Sequence, residues 1–559
     1  MSDDAAVYFG IDLGTTYSVV SYIDEYGRPA LVRDPVSGSE TTPSVVFFEN
    51  ADNVVVGAEA RNNAVLDSER VVQRVKREMG RERRWEFDGR TYTPESISAL
   101  ILKQLAQAAA QDTGREVRDV VITVPAYFGM LERDATRKAG EIAGLNVIGI
   151  VPEPVAAALQ YEVADGAAER FVLVYDLGGG TFDTTVIRVA ADTVEVVCTD
   201  GDQELGGVDW DDRLVTYLLD EFQNQVDTAE DPREDPEFMQ ELRRNAEDLK
   251  RGLSNVTTRT QHLRFAGSVA TVEVTREIFE RITQDLLDNT VRLTERTLEK
   301  MAAKLAVENP AGHIDEVLLV GGSSKMPAVK AALSDRFGWT PRLHDPDFAV
   351  AKGAARFALS RAVWNWEAGG PTETEPTVEE RRERVHALAQ RLAVDESALA
   401  RLADKKIQNV LPKAFGVRLL DTNQPGWQEN PESASYVEHL VHADETLPRT
   451  RSLDAQTVVP DQHEVEISIY EQAGGTESPE LSDNKPVDHG RGVISGLPSL
   501  PAGSPIDIVM IVDDEGLLTV RASEPVSGQE LTIEVRVSVL SPEEVLDATA
   551  TVSALSVRS

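Results

Sequence analysis

The chain has 559 residues, 41% of them hydrophobic and 27% charged, and a formal net charge of −39. Single cores stop growing beyond roughly 250–300 residues, so at least two domains are expected, and so acidic a surface repels phosphate backbones and sets nucleic-acid binding aside. A single cysteine, Cys198, excludes a disulfide framework or a cysteine metal site within the chain.

The opening MSDDAAVYFG is acidic and lacks the charged-then-apolar pattern of a signal peptide. No apolar run approaches the roughly 18–20 residues of a membrane-spanning helix. A cytoplasmic location with no membrane partner is expected.

From Tyr8 to Gly27 the chain reads YFGIDLGTTYSVVSYIDEYG: a strand, a tight polar turn and a second strand. A plain hairpin would need only a two-residue turn. Here Gly14 lets backbone N–H groups approach a phosphate, and Thr15 and Thr16 add hydroxyl donors. Asp12 is an acceptor that suits phosphate only if Mg²⁺ and its waters stand between them. A helix, SISALILKQLAQAAAQ (96–111), a strand, VVITV (120–124), and a helix, LERDATRKAGEIAGL (131–145), follow. Then VYDLGGGTFDTTVI (174–187) repeats the first motif, with Asp176, Gly178, Gly179, Gly180, Thr181 and Asp183. One copy is hard to tell from an ordinary capped turn. Two copies at strand ends predict a duplicated, two-lobed α/β unit with a central cleft.

In NAEDLKRGLS (245–254), Glu247, Lys250, Arg251 and Ser254 share one helical face. Taken alone, this is a solvated helix with an ion pair. EVLLVGGSSKMPAVKAAL (316–333) is a strand, a Gly-Gly-Ser-Ser turn and a helix, which suits a third wall of the same cleft. The chain has neither GxxxxGK[ST] nor a GxGxxG after a strand, so the P-loop and dinucleotide readings fail. WNWEAGGPTETEP (364–376) reads as a linker. The next stretch, 377–408, reads as a helical pair: Val385, Leu388 and Leu392 share a face, Leu399 and Leu402 form another, and Asp395 caps the second helix. From about Pro412, short alternating strands (EVEISIY, IDIVMIV, LLTVRAS, LTIEVRVSV) between Pro/Gly-rich turns predict an all-β sandwich or barrel.

The order DLGTT, VKREMGR (75–81), VPAYF (124–128), PEPVAAAL (152–159), DLGGGTFD (176–183), LGGVDWD (205–211), AEDLKRGLS and VGGSSKMP (320–327) resembles the nucleotide-binding domain of the heat-shock protein seventy, DnaK-type chaperones over residues 7–362. That family shares its core with actin and sugar kinases, and a sugar kinase would have no use for the β region. More loosely, PKAFGVRL, ADETLPRTRS, HEVEISIYEQ, GLPSLPAGSPIDI and DDEGLLTVRA are similar to the family's substrate-binding sandwich. The resemblance implies four parts: an actin-like ATPase domain (1–362), a linker with a helical pair (363–410), a substrate-binding β-sandwich (411–540) and a short tail without a helical lid (541–559).

It further implies a cytoplasmic, stress-responsive chaperone that hydrolyses ATP to ADP with Mg²⁺ and gates binding of extended polypeptide. Lys76 falls on the family's catalytic lysine, and Asp12, Glu153, Asp176 and Asp183 on the residues that order Mg²⁺, its waters and the nucleophile; Asp12 and Asp176 hold the metal through water. Thr181 falls on the γ-phosphate contact. Gly14, Thr15, Thr16, Tyr17, Gly178, Gly179, Gly180, Gly206 and Gly207 belong to the nucleotide-binding turns. Glu247, Lys250, Arg251, Ser254, Gly321, Gly322, Ser323, Lys325 and Asp347 match the adenosine site, and Pro125 and Arg133 the switch that relays nucleotide state.

Three departures stand out. About twenty residues follow Val539, where the family has a long helical lid, so bound polypeptide should exchange fast. KIQNVLPKAFGV replaces the leucine-rich linker, with Ile407, Val410 and Leu411 as weak substitutes. Gly149 stands where the family commonly has an arginine for J-domain cochaperones, which argues against that partner, while a nucleotide-exchange factor remains expected. These departures keep a second reading open, a nucleotide-gated scaffold for one dedicated protein partner. DNA binding by the helical pair, which has helix-turn-helix rhythm, is disfavoured by the acidity of the chain. In the long first loop of the sandwich, Trp427 and Tyr436 read as packed aromatics before they read as a binding surface.

Overall fold

The computed structural model describes residues 8–161, 169–190, 193–228, 230–364, 377–392, 396–403, 406–495, 497, 499, 501–525, 529–531 and 539–559. The expected linker at 364–376 apart from Trp364, the cap at Asp395 and most of the strand at 531–539 lie outside them. The chain divides into two compact units. The first comprises Met1–Tyr127, Thr136–Lys406 and Pro542–Ser559, and the second Phe128–Ala135 and Ile407–Ser541.

Two sheets in the first unit share one wiring. In one, Phe9–Asp12 pairs antiparallel with Tyr17–Ile23 and parallel with Asp119–Val124, which pairs in turn with Asn146–Pro152. In the other, Arg170–Leu177 pairs antiparallel with Phe182–Val189 and parallel with Glu316–Val320. The parallel partners, VVITV and VLLV, are buried almost throughout, as strands covered on both faces must be. The echo in sequence is thus an echo in topology, and both Asp-Leu-Gly turns sit at the same ends of equivalent strands.

Helices cover these sheets. Pro94–Thr113 starts with a capping box, Thr93 with Ser96, and Pro94 in the first turn. Ala349–Trp364 crosses Glu153–Tyr161 so closely that a Cβ on Gly353 would stand 1.7 Å from the Ala156 carbonyl oxygen. The helical pair, Val378–Leu392 and Glu396–Ala403, packs on Ala349–Trp364 and buries Val385, Leu388 and Leu399.

Residues expected to form only a short tail fold instead into a helix, Pro542–Ala554, and a strand, Ser556–Arg558, both part of the first unit. The short repeat-free sequence hides this because three residues carry no strand periodicity.

The second unit is a sandwich. One sheet runs Ser435–Val441, Phe415–Leu420, Glu464–Gln472, Asn484–Ser495, and the other Arg449–Gln456, Pro505–Val512, Leu518–Glu524, Gln529–Leu531. Val417, Ile467 and Ile469 from the first sheet and Ile506, Ile508, Met510 and Val520 from the second share one core. Met130 also takes a place in that core, so Phe128–Ala135, which the sequence assigns to the nucleotide domain, groups with the sandwich. Trp427 and Tyr436 are both half-buried. No helix among the described residues is long and apolar enough to cross a membrane.

Cys198 is fully buried on the strand Thr193–Asp202. A thiol reagent is therefore expected to leave the native chain unmodified and to react once it is unfolded. Fast labelling under native conditions would contradict this packing.

Candidate functional site

The two glycine-rich turns face each other. A Cβ on Gly180 would meet the Thr15 side chain at 2.4 Å, and one on Gly179 would meet Thr16 Oγ1 at 2.3 Å. Any side chain there would close the space between the turns, so glycine is required by approach. The first turn is braced by Ser44, whose N–H donates to the Thr16 carbonyl (2.9 Å) and whose hydroxyl donates to the Gly14 carbonyl (2.8 Å). The second is braced by the helix Gly207–Gln225. The Gly207 and Val208 N–H groups donate to the carbonyls of Gly178 (2.9 Å) and Gly179 (2.8 Å). Arg77 donates to the Gly180 carbonyl (3.0 Å) and pairs with Asp209 (2.6 Å), which accepts from Gly206 N–H (2.7 Å).

Below the turns lies a buried charged cluster. Lys76 sits in the short helical turn Val75–Glu78, and its ammonium is 2.5 Å from Glu153 Oε1, with both side chains under a tenth exposed. Asp12 accepts from the Thr123 hydroxyl at 3.1 Å, and Asp183 from the Tyr127 N–H at 2.9 Å. Burial, then the charge of Glu153, pushes Asp12 up to about 7, against the pull of Lys76 and Thr123. Burial, then the charges of Glu153, Asp183 and Asp12, holds Asp176 well above the carboxylate range. Burial opposes the charge of Lys76, but Glu153 and Asp12 outweigh it and raise its pKa. Glu153, Asp12 and Asp176 thus gather at the Lys76 ammonium, and their crowding in a buried site makes Asp12 and Asp176 hold protons more tightly than usual.

The third turn closes on the second. Gly321 has a φ of 79°, and a Cβ there would stand 2.5 Å from Asp176 Oδ1. Ser324 Oγ accepts from the Leu177 N–H (3.3 Å). Gly207 stands between Ser323 and Lys250: its Cβ would meet Ser323 Oγ at 2.2 Å and Lys250 Nζ at 2.9 Å. Lys250 also reaches Asp211 (2.8 Å). Lys325 pairs with Asp347.

Helix Pro236–Leu253 buries Phe238, Leu242, Ala246, Leu249 and Leu253, which turns Glu247 and Lys250 away from the core. Glu247 accepts from Tyr17 Oη (3.1 Å) and pairs with Arg61 (2.7 Å), while the Arg251 guanidinium lies 4.8 Å from the Tyr17 ring centre. Ser254 does not join them; its hydroxyl returns to the Lys250 carbonyl (3.2 Å) at the helix end. A cleft of 450 Å³ opens here between Thr15, Tyr17, Arg61, Arg74 and Glu247, within the usual size for small-molecule sites.

Pro125 lies between Thr123, whose hydroxyl donates to Asp12, and Tyr127, whose N–H donates to Asp183. Arg133 is buried in the second unit, where its Nε donates to the Phe128 carbonyl (2.9 Å). Beside Gly149, a Cβ would meet Phe357 at 3.1 Å and Arg361 Nε at 3.6 Å, so the room for a longer side chain is taken. Arg61, Ser44, Thr123 and Asp209 were not singled out from sequence. Arg61 lies in AEARNN, which has no motif to mark it.

Two sheets of one wiring, with facing glycine turns over buried carboxylates, define a nucleotide-type cleft in the first unit, and the second unit is a β-sandwich. The chain belongs to the Hsp70 family: the family described as "Hsp70 protein" matches residues 8–87, 83–360 and 430–552. It is 33% identical to "Chaperone protein DnaK" of Thermosipho africanus over 543 residues, covering 96% of this chain and 81% of that one. It is 34% identical to "Chaperone protein DnaK" of Thermotoga petrophila over 544 residues, again 96% and 81%. An actin-like ATPase domain followed by a β-sandwich is the architecture of that family. The helical pair and residues 421–429 of the sandwich's first loop lie outside the matched residues.

Proposed function

We propose that the chain is an Hsp70-type chaperone that hydrolyses ATP and so gates the binding of extended polypeptide to its β-sandwich. The observation that carries this reading is the buried cluster of Lys76, Asp12, Glu153, Asp176 and Asp183 beneath two facing glycine turns. Such a cluster suits phosphoryl transfer, where the protein contributes positioning and fixed charge.

The cluster also fits Mg²⁺. Its donors are hard carboxylate oxygens, crowded so that Asp12 and Asp176 hold protons more tightly than usual, and no group of three or more His, Cys, Asp or Glu among the described residues is arranged to ligate a metal directly. Asp12 and Asp176 would hold the ion through its waters, as Mg²⁺ prefers. When bound, the ion would neutralise charge developing on the phosphates. Lys76 fixes a cation at the transferring group, Glu153 orients Lys76, and Asp183 is oriented by the Tyr127 N–H. Thr15, Thr16 and Thr181 offer hydroxyls, and Lys250, Ser323 and Glu247 flank the space for the nucleoside. In the sandwich, extended polypeptide would be held by backbone pairing and apolar pockets.

The test is single-turnover ATP hydrolysis with and without an unfolded apolar polypeptide. Hydrolysis that requires Mg²⁺ and quickens with the polypeptide is expected. Hydrolysis indifferent to it would count against gating and favour a dedicated-partner scaffold. Absence of hydrolysis would leave the nucleotide as a structural ligand only.

A further inference from the structure

Strand Asn53–Val56 is held on both sides. On one it pairs antiparallel with Val45–Phe48. On the other it pairs in parallel with Ser556–Arg558, in the register Ser556 to Asn53, Val557 to Val54 and Arg558 to Val55. Val54, Val55 and Val56 are fully buried. Without residues 556–558 this apolar strand would be an open edge, the kind that recruits another strand.

The rest of the segment is docked as deliberately. Val552 and Leu555 are buried. Lys103 Nζ donates to the carbonyls of Val552 (2.8 Å) and Leu555 (3.0 Å), satisfying acceptors that a helix end leaves open. Arg84 reaches Glu544 (3.0 Å), and Arg558 reaches Glu49 (3.1 Å) and Glu59 (3.8 Å). These exposed pairs choose register more than they add stability. A three-residue strand at a sheet edge is the kind of element that can open locally without unfolding the rest.

The edge it occupies touches both sides of the cleft. Val45–Phe48 continues from Ser44, which braces the first phosphate turn. Asn53–Val56 runs through Gly57 into helix Ala58–Asn63, which carries Arg61 to Glu247. Ser559 and Tyr17 also border one 210 Å³ hollow, together with Thr42, Pro43 and Glu59.

We infer that residues 542–559 are an exchangeable intramolecular ligand of the Asn53–Val56 edge, and that their docking slows release of nucleotide. The inference rests on the nucleotide reading above. With the segment docked, the strands behind the first turn and behind Arg61 are fixed. Once it leaves, that part of the cleft wall loses a neighbouring strand and opens more readily.

The test is stopped-flow release of a fluorescent ADP, chased by excess ATP, from the full chain, a truncation after Ser541, and the full-length variants Ser556→Pro and Lys103→Met. The Ser556 N–H donates to the Asp52 carbonyl (2.9 Å), so proline there removes a donor to the neighbouring strand and blocks the added strand without removing the segment. Release should quicken at least about fivefold in the truncation and in Ser556→Pro, within the usual range of coupling between sites. Lys103→Met should move the same way. The free peptide PEEVLDATATVSALSVRS, added to the truncated chain, should restore slow release, and a scrambled peptide should not. Slower release at an unchanged association rate is tighter binding, so by reciprocity ADP should raise hydrogen-exchange protection at 53–56 and 556–558. Release from Ser556→Pro and Lys103→Met within about twofold of the full chain, well below ordinary coupling, would overturn the inference even if the truncation does not fold. A full chain that holds no fluorescent ADP would overturn the nucleotide reading itself, whereas equal release from intact and altered chains overturns only the strap.

Discussion

Lys76→Ala is expected to lower single-turnover ATP hydrolysis by about 10²–10³-fold, the loss typical of one preorganised electrostatic group, while nucleotide still binds. The side chain is buried, 2.5 Å from Glu153, and its charge also acts on Asp12 and Asp176. Its removal does two things that must be separated. It takes a fixed positive charge from the transferring group, and it leaves Glu153 buried and unpaired. Breaking a buried pair by removing one partner typically costs about 3–5 kcal/mol, so the ligand-free variant should melt earlier. The double variant Lys76→Met, Glu153→Gln should recover much of that stability without recovering hydrolysis. Unchanged turnover in Lys76→Ala would remove Lys76 from the chemistry. A double variant that regains turnover would make the single effect one of folding.

The same cluster sets a pH dependence. A carboxyl whose folded pKa rises from 3.8 to about 7, as in Asp12, binds its proton more tightly folded than unfolded. Its contribution therefore favours the ligand-free fold below about 4 and is lost progressively as pH rises through about 7. Adding Mg²⁺ with nucleotide should flatten this slope, and thermal unfolding between pH 5 and 8 in both states reads it directly. A ligand-free slope of opposite sign would contradict the burial of Asp12.

Much of this site was legible because it is local. Asp12 to Thr16 and Asp176 to Asp183 each carry strand, turn and donor within a few residues, and repetition removes the ambiguity of one copy. The 245–254 helix shows the limit. Its apolar stripe is periodic and predicts the buried face, but nothing within the segment says that Glu247 meets Tyr17 and Arg61 rather than water. Those contacts join residues 230 and 186 positions apart. Unit boundaries were harder still. Composition separates an α/β part from a β part, yet the first unit also takes Pro542–Ser559 and the second takes Phe128–Ala135. Such returns depend on an edge strand or a core lacking one element, and an edge is a property of the assembled sheet.

Gly353→Ala tests how the scaffold holds the chemistry in place. A Cβ at this position would lie 1.7 Å from the Ala156 carbonyl oxygen and 2.3 Å from its carbon. Both are backbone atoms, so no rotamer change relieves the clash, and helices Ala349–Trp364 and Glu153–Tyr161 must separate. Alanine is the better helix former by about 1 kcal/mol, which works in the variant's favour. Overpacking costs typically about 1–3 kcal/mol and more where nothing can yield, so a clear net loss of stability is expected. The consequence reaches the site because Ala156 lies one turn after Glu153, the partner of Lys76. A displacement of about 1 Å can cost on the order of 10²-fold in rate, so hydrolysis should fall even under conditions where the variant is fully folded. Gly474→Ala is the control, since a Cβ there meets nothing within 4 Å. Calorimetry and single-turnover hydrolysis on both variants decide the matter: a Gly353→Ala chain as stable and as active as the control would mean that the helix crossing does not position Glu153.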